Sequence, residues 1–338
     1  MKRMPLLAAL LGLALSTPAL AFDGVYAFGD SLSDNGNIYA ATYGLFPPAP
    51  YYQGRFSNGP VMVEDLAKGL GVSLHDYAWG GATSGTANNL SGTSYNGSVL
   101  PVLPGLSQEI TSYVGSNSLD PNGLYTVWAG ADDALALFAT LSPTSTLTQI
   151  EASAALTIDT STTNVTDAVS TLESHGARHI LVLNMPNLGR TPRALTDNST
   201  VTPYASTAAT LYSQGFNSTL ASKLDTLQGS AGFNANIIQF DVFGAMNQVF
   251  ANAASYGFTN LAQGCLYSTV CVSSSAVQDT YAFWDDVHPT AHLHQILADE
   301  VLAAVPEPAE WLMLLAGLGL LTVWGRGRGA GQGKRAAG

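Results

Sequence analysis

The chain has 338 residues, 46% hydrophobic and 11% charged, with 12 Lys and Arg against 24 Asp and Glu. That composition can build a large core and excludes wholesale disorder. Two basic residues precede Phe22 and four follow Pro308, so 6 remain between them against 22 acidic ones (24 less Glu307 and Glu310), a net of −16; this excludes nucleic acid or an anionic membrane surface as a charge-held partner and points to neutral substrates.

In chain order, Lys2 and Arg3, the apolar run Leu6 to Leu15 and the small-x-small Ala19-Leu20-Ala21 make a secretory signal peptide over residues 1–21, cut after Ala21. The run is too short to span a bilayer. Val25 to Phe28 reads as a buried strand, Pro60 to Leu70 as a helix closed by Gly71, and Val72 to Ala78 as a second strand. Thr83 to Gly105 reads as a long surface loop. Further strands follow at Leu124 to Ala129, His179 to Asn184 and Ile237 to Val242, with helices at Thr146 to Ser174, Tyr204 to Leu227 and Thr290 to Ala304. Tyr256 to Trp284 reads as a second loop; it holds Cys265 and Cys271, which in an exported chain pair as a disulfide closing a small loop. Strands separated by helices predict an α/β domain over 22–304, a mostly parallel five-stranded sheet covered on both faces. No internal repeat is visible. Past it, Val305-Pro306-Glu307-Pro308 opens a tail over 305–338, with an apolar stretch from Trp311 to Trp324 and then Arg326, Arg328, Lys334 and Arg335.

Two short segments carry the chemistry. Phe28-Gly29-Asp30-Ser31-Leu32-Ser33-Asp34 places a serine at the carboxyl end of the first strand, where an open α/β sheet sets its reactive groups. A serine hydroxyl needs a base within hydrogen-bond reach. Trp284-Asp285-Asp286-Val287-His288-Pro289-Thr290 supplies an imidazole with a carboxylate three residues before it, able to fix the ring's tautomer. Either segment alone also reads as a plain turn or helix start. No Gly-x-Ser-x-Gly elbow is present. His288 and His292 have the spacing of helical zinc ligands, but no Glu between them and no third ligand accompany them. Trp79, Trp128 and Trp284 read either as pocket lining or as core.

Together with Asp76-Tyr77-Ala78-Trp79-Gly80-Gly81-Ala82-Thr83, Trp128-Ala129-Gly130-Ala131-Asp132-Asp133 and Gly54-Arg55-Phe56-Ser57-Asn58-Gly59-Pro60, these segments resemble the GDSL, or SGNH, hydrolase family in order and spacing. The resemblance implies a three-layer flavodoxin-like fold and a serine esterase or lipase that needs no metal or organic cofactor and acts on a small-molecule or lipid ester. It implies Ser31 as nucleophile, His288 as general base and Asp285 as its orienting partner, with an oxyanion hole from the backbone N–H groups of Ser31 and Gly81. The family's third oxyanion donor is an asparagine; here Asp132 stands at that position. An ionised Asp132 has no proton to give. Three readings stand: two backbone donors suffice, Asp132 is protonated and donates, or the enzyme is weak, with the first ranked ahead. The tail resembles the PEP-CTERM signal of Gram-negative bacteria, which implies signal peptidase and an exosortase-type enzyme as processing partners, transient membrane contact, and release to the cell surface or medium. An acyltransferase of the same family, and a matrix protein on a degenerate hydrolase fold, are the alternatives.

Overall fold

The computed structural model describes residues 22–305; the signal peptide and all but the first residue of the tail lie outside the described residues. Asp23–Ala304 pack as one unit. Five strands form its centre: β1 (Gly24–Gly29), β2 (Ser73–Asp76), β3 (Leu124–Trp128), β4 (His179–Leu183) and β5 (Asn236–Phe240). They lie in the order β2-β1-β3-β4-β5 and every pairing is parallel. This is the flavodoxin-like order, and its direction reverses between β1 and β3, where ligands bind outside the carboxyl ends of the strands. The apolar runs behave as strands covered on both sides must: all five residues of β3 are buried.

One face carries α3 (Leu106–Ser116), α5 (Leu147–Ser174) and α7 (Ala205–Gln228), which share a core with Phe28, Tyr125, Val127, Ile180 and Val182. The other face carries α2 (Met62–Leu70), α8 (Val242–Ala251) and α9 (Ala291–Ala304), packed through Met62, Leu66, Leu293 and Leu297. Local chemistry starts these helices. Thr146 caps α5, its hydroxyl accepting from Gln149 N–H while Gln149 returns a bond to Thr146 N–H. Glu64 accepts from Val61 N–H at the start of α2 and takes both prongs of Arg55.

The sheet matches the expected fold class, and the expected strands form with small shifts at their ends. Three details differ. Pro60 precedes α2 instead of entering its first turn, because Val61 is the cap. Val242 opens α8 rather than ending a strand, since Asp241 accepts from Gly244 N–H and caps a helix there. The stretch Tyr256 to Trp284 is not a bare loop: β6 (Asn260–Gly264) and β7 (Tyr281–Phe283) pair in it as a small parallel sheet. Short helices α1 (Asn37–Ala41), α4 (Ala131–Phe138) and α6 (Pro192–Thr200) complete the frame around the strand ends. Among the described residues no helix is long and apolar enough to cross a membrane.

Candidate active site

Ser31 stands two residues past β1, directly over the switch point. The chain turns sharply there: Gly29 has φ 145°, and a Cβ on it would run into the Trp128 carbonyl of the neighbouring strand. Asp30 tightens the turn by accepting from Leu32 N–H at 3.0 Å. Asp34 accepts from the N–H groups of Gly36, Asn37 and Gly80, tying this turn to the loop after β2. These two carboxylates organise backbone, and among the described residues no cluster of three or more His, Cys, Asp or Glu is suited to a metal ion.

The loop between β7 and α9 brings the imidazole to the serine. His288 Nε2 lies 2.8 Å from Ser31 Oγ, and Nδ1 lies 2.7 Å from Asp285 Oδ2. Asp285 Oδ1 accepts from Val287 N–H and His288 N–H, at 2.9 and 2.7 Å. Its Oδ2 accepts a second bond, from the Tyr51 hydroxyl at 2.7 Å. Burial pushes the Asp285 carboxyl up, but the charge of His288 and these hydrogen bonds outweigh it and hold it below the usual carboxylate range. Burial pushes His288 down, yet Asp285, Asp132 and Asp286 together raise it above the ordinary imidazole value. With Asp285 ionised, the proton of a neutral His288 sits on Nδ1 and Nε2 is free to accept from Ser31.

The loop after β2 faces this line. Gly81 has φ 77°, and a Cβ there would press on Asn88 and Leu90. Its neighbour Gly80 is fixed from both sides, donating to Asp34 and accepting from Asn88. Among the described residues the N–H groups of Ser31 and Gly81 donate no hydrogen bond within the protein.

Asp132 is the second residue of α4 and lines the same pocket as Ser31 and His288. Asn89 donates to its main-chain carbonyl at 2.8 Å and to Oδ1 at 3.0 Å. Burial is the strongest influence on Asp132 and raises its pKa to about 7, against the opposing pull of Asn89 and His288. Its buried neighbour Asp30 is raised well above the usual range by burial and by the Asp132 charge.

An apolar pocket runs from Ser31 between α4, α6 and α7, lined by Trp128, Leu135, Phe138, Leu188, Ala194 and Ala209. Trp128 also donates its indole N–H to the Asn184 carbonyl. Trp284 lies elsewhere, packed with the Cys265–Cys271 disulfide and Tyr51. Trp79 joins Phe46 and Leu90 against a small cluster of Ile38, Phe56 and Leu103. The histidines at 292 and 294 do not converge with His288: His292 Nδ1 meets the Asp279 carbonyl, and buried His294 accepts from Met62 N–H. Tyr51 and Asn89 carried no signal in the sequence, since each reaches the site from a loop fixed only by tertiary packing.

A doubly wound parallel α/β sheet with a hydrogen-bonded serine, histidine and aspartate at its switch point defines the class. Residues 25–301 match the family model of GDSL-like lipases and acylhydrolases, and the chain belongs to that family. It is similar to the phosphatidylcholine-sterol acyltransferase of Aeromonas hydrophila, with 35% identity over 177 residues, 52% of this chain and 48% of that protein. It is 25% identical to the thermolabile hemolysin of Vibrio parahaemolyticus over 85% of this chain and 65% of that protein. A GDSL esterase/lipase of Arabidopsis thaliana is 26% identical over 83% of this chain and 86% of that one. The alignments thus span 48% and 65% of the two bacterial relatives. Among solved structures, phospholipase A1 from Streptomyces albidoflavus NA297 is 14% identical with a TM-score of 0.48, over 84% of this chain and 100% of that one.

Proposed function

We propose that this chain is an exported serine hydrolase that cleaves carboxylic esters bearing an aliphatic acyl chain. The observation that carries the reading is the continuous line of hydrogen bonds from Ser31 Oγ through His288 to Asp285. Ser31 Oγ attacks the ester carbonyl while His288 Nε2 takes its proton. The carbonyl oxygen becomes an oxyanion held by the N–H groups of Ser31 and Gly81 and by protonated Asp132. Collapse expels the alcohol, which receives the proton from His288, and leaves an acyl-enzyme. His288 then draws a proton from water, and hydroxide addition releases the acid and restores Ser31. The apolar pocket receives the acyl chain, and Tyr51, Asp285 and the disulfide lie on the opposite side of the imidazole. Export follows from the signal peptide over 1–21, and the tail over 305–338 delivers the domain to the cell surface through exosortase-type processing.

The similarity to an acyltransferase favours a second reading, in which an alcohol replaces water in the last step. A fluorophosphonate probe tests the core of the proposal. Labelling of the wild type at Ser31, lost in Ser31→Ala, is expected; a folded wild type that takes no label sinks it. A p-nitrophenyl ester series tests the pocket: each added methylene should raise kcat/KM about fourfold until the pocket is filled, from ~0.8 kcal/mol per buried CH₂. Ala194→Phe should remove that gain for long chains and leave butyrate hydrolysis unchanged. Product analysis with and without an added alcohol separates hydrolysis from transfer.

A further inference from the structure

We infer that Tyr51 is a positioning residue of the site, setting through Asp285 how strongly His288 holds its proton. This rests on the Ser31–His288–Asp285 reading above. Tyr51 comes from the loop between α1 and α2, 234 positions before Asp285, and its hydroxyl donates to the same Oδ2 that receives His288 Nδ1. The two bonds are equally short, at 2.7 Å. A donor on that oxygen draws carboxylate charge away from the imidazole, so it weakens the pull of Asp285 on the His288 proton. It also fills the oxygen's remaining acceptor site, which stops the carboxylate from rotating out of line.

The ring is placed for this. It half-buries between Phe56 and Trp284, edge-on to both, with centroids 6.3 and 6.2 Å away. Tyr51 N–H donates to the Pro48 carbonyl at 3.0 Å, and Tyr52 N–H to the Ser57 carbonyl at 2.9 Å, which closes the loop beneath the ring. Burial and the facing Asp285 charge push the Tyr51 hydroxyl far up, so it stays a donor at every pH where the protein is folded.

The other groups that act on His288 are Asp286 on its own loop, Asp132 on α4 and, from their own side, Asp30 beside Ser31 and His294 on α9. Arg193 on α6 acts on Asp286. Tyr267 and Asp286 also face the Tyr51 hydroxyl; every variant below keeps them, so opposite shifts of the His288 titration in two variants report the altered bond.

The test is the pH profile of kcat/KM in two variants that alter the bond in opposite directions. Tyr51→Phe keeps the ring and removes the donor. Asp285 then pulls harder on the imidazolium, and the acid limb should move up by about one pH unit, the worth of one hydrogen bond to a charge. The kcat should fall about tenfold with KM unchanged. Site-specific 3,5-difluorotyrosine at position 51 keeps the ring and strengthens the donor, and the acid limb should move down. Tyr51→Ala reports the ring contacts separately through the melting temperature. An acid limb that stays in place in both the Phe and the difluorotyrosine proteins overturns the proposal, whatever happens to stability. Ser31→Ala is the companion measurement: if it retains activity, the catalytic reading itself fails, whereas an inactive Ser31→Ala beside a wild-type profile for Tyr51→Phe removes only the role of Tyr51.

Discussion

At the scale of single residues, the proposed mechanism turns on Asp132, which stands where the resembled family has asparagine. It lies in the first turn of α4 and is almost wholly buried, at 7% exposure. Burial there raises its pKa to about 7, so below neutrality it holds a proton and above it carries a charge. The sign follows directly: a protonated carboxyl donates to an oxyanion, and an ionised one repels it. Wild-type kcat/KM should therefore decline above neutral pH, whereas Asp132→Asn should not. The ratio of the two should be near one at pH 6 and rise toward about 10²-fold at pH 9, the worth of one oxyanion donor. A ratio that does not change with pH would exclude this role. That Ser31, His288 and Asp285 come together was legible only from the two short segments taken with the family resemblance, since either alone also reads as a turn. The choice among the three readings of Asp132 was not, because it depends on desolvation by residues remote in the chain.

At the scale of elements, the segment that read as a loop supports the aspartate. Cys265 and Cys271 are both fully buried and pack against Trp284, the residue before Asp285. Leu266 N–H donates to the Trp284 carbonyl at 2.7 Å, and a Cβ on Gly264 would collide with the Asp285 backbone. The disulfide is thus part of the seat of the loop that carries Asp285 and His288. It closes only a short loop, separation 6, so a Cys265→Ala/Cys271→Ala protein should lose about 2 kcal/mol of stability. Calorimetry should record a melting temperature several degrees lower, and kcat should fall with it; an unchanged kcat would show that the seat holds without the bond. The disulfide could be anticipated from two cysteines in a chain whose sequence reads as exported, but the strands around it could not. Residues Asn260–Gly264 alternate weakly and are half exposed, so no apolar run announced β6. The helix α6 was missed for the same reason, since Pro192–Thr200 is mostly polar on all sides.

At the scale of the whole molecule, the acidic balance has a folded counterpart. Asp30, Asp34 and Glu109 are buried and Asp76 is half-buried, and desolvation is the leading cause of the upward shift in each. Glu109 accepts from Gly29 N–H beneath the Ser31 turn, and its other oxygen has no partner among the described residues. Each of these groups binds its proton more tightly folded than unfolded. Folding therefore takes up protons above the usual carboxylate range, and stability falls as pH rises through that window. Asp285 has the opposite sign and contributes stability that is lost only on acidification below its ordinary range. The melting temperature should be highest just above the usual carboxylate range and fall as pH rises further. Glu109→Gln keeps the acceptor for Gly29 and should flatten that fall; an unaltered slope would remove Glu109 from the explanation. The parallel sheet itself was legible because apolar runs alternate with helical segments. Its strand order followed from the family resemblance, since no pattern within a strand names its neighbours.

Ser31 and His288 touch although 257 positions separate them. A ribosome that has finished the first four-fifths of this chain has made Ser31, both glycine turns and every strand of the central sheet, but not His288. A chain cut short before His288 holds the serine without its imidazole, and the three side chains meet only once the loop before α9 lies against the sheet.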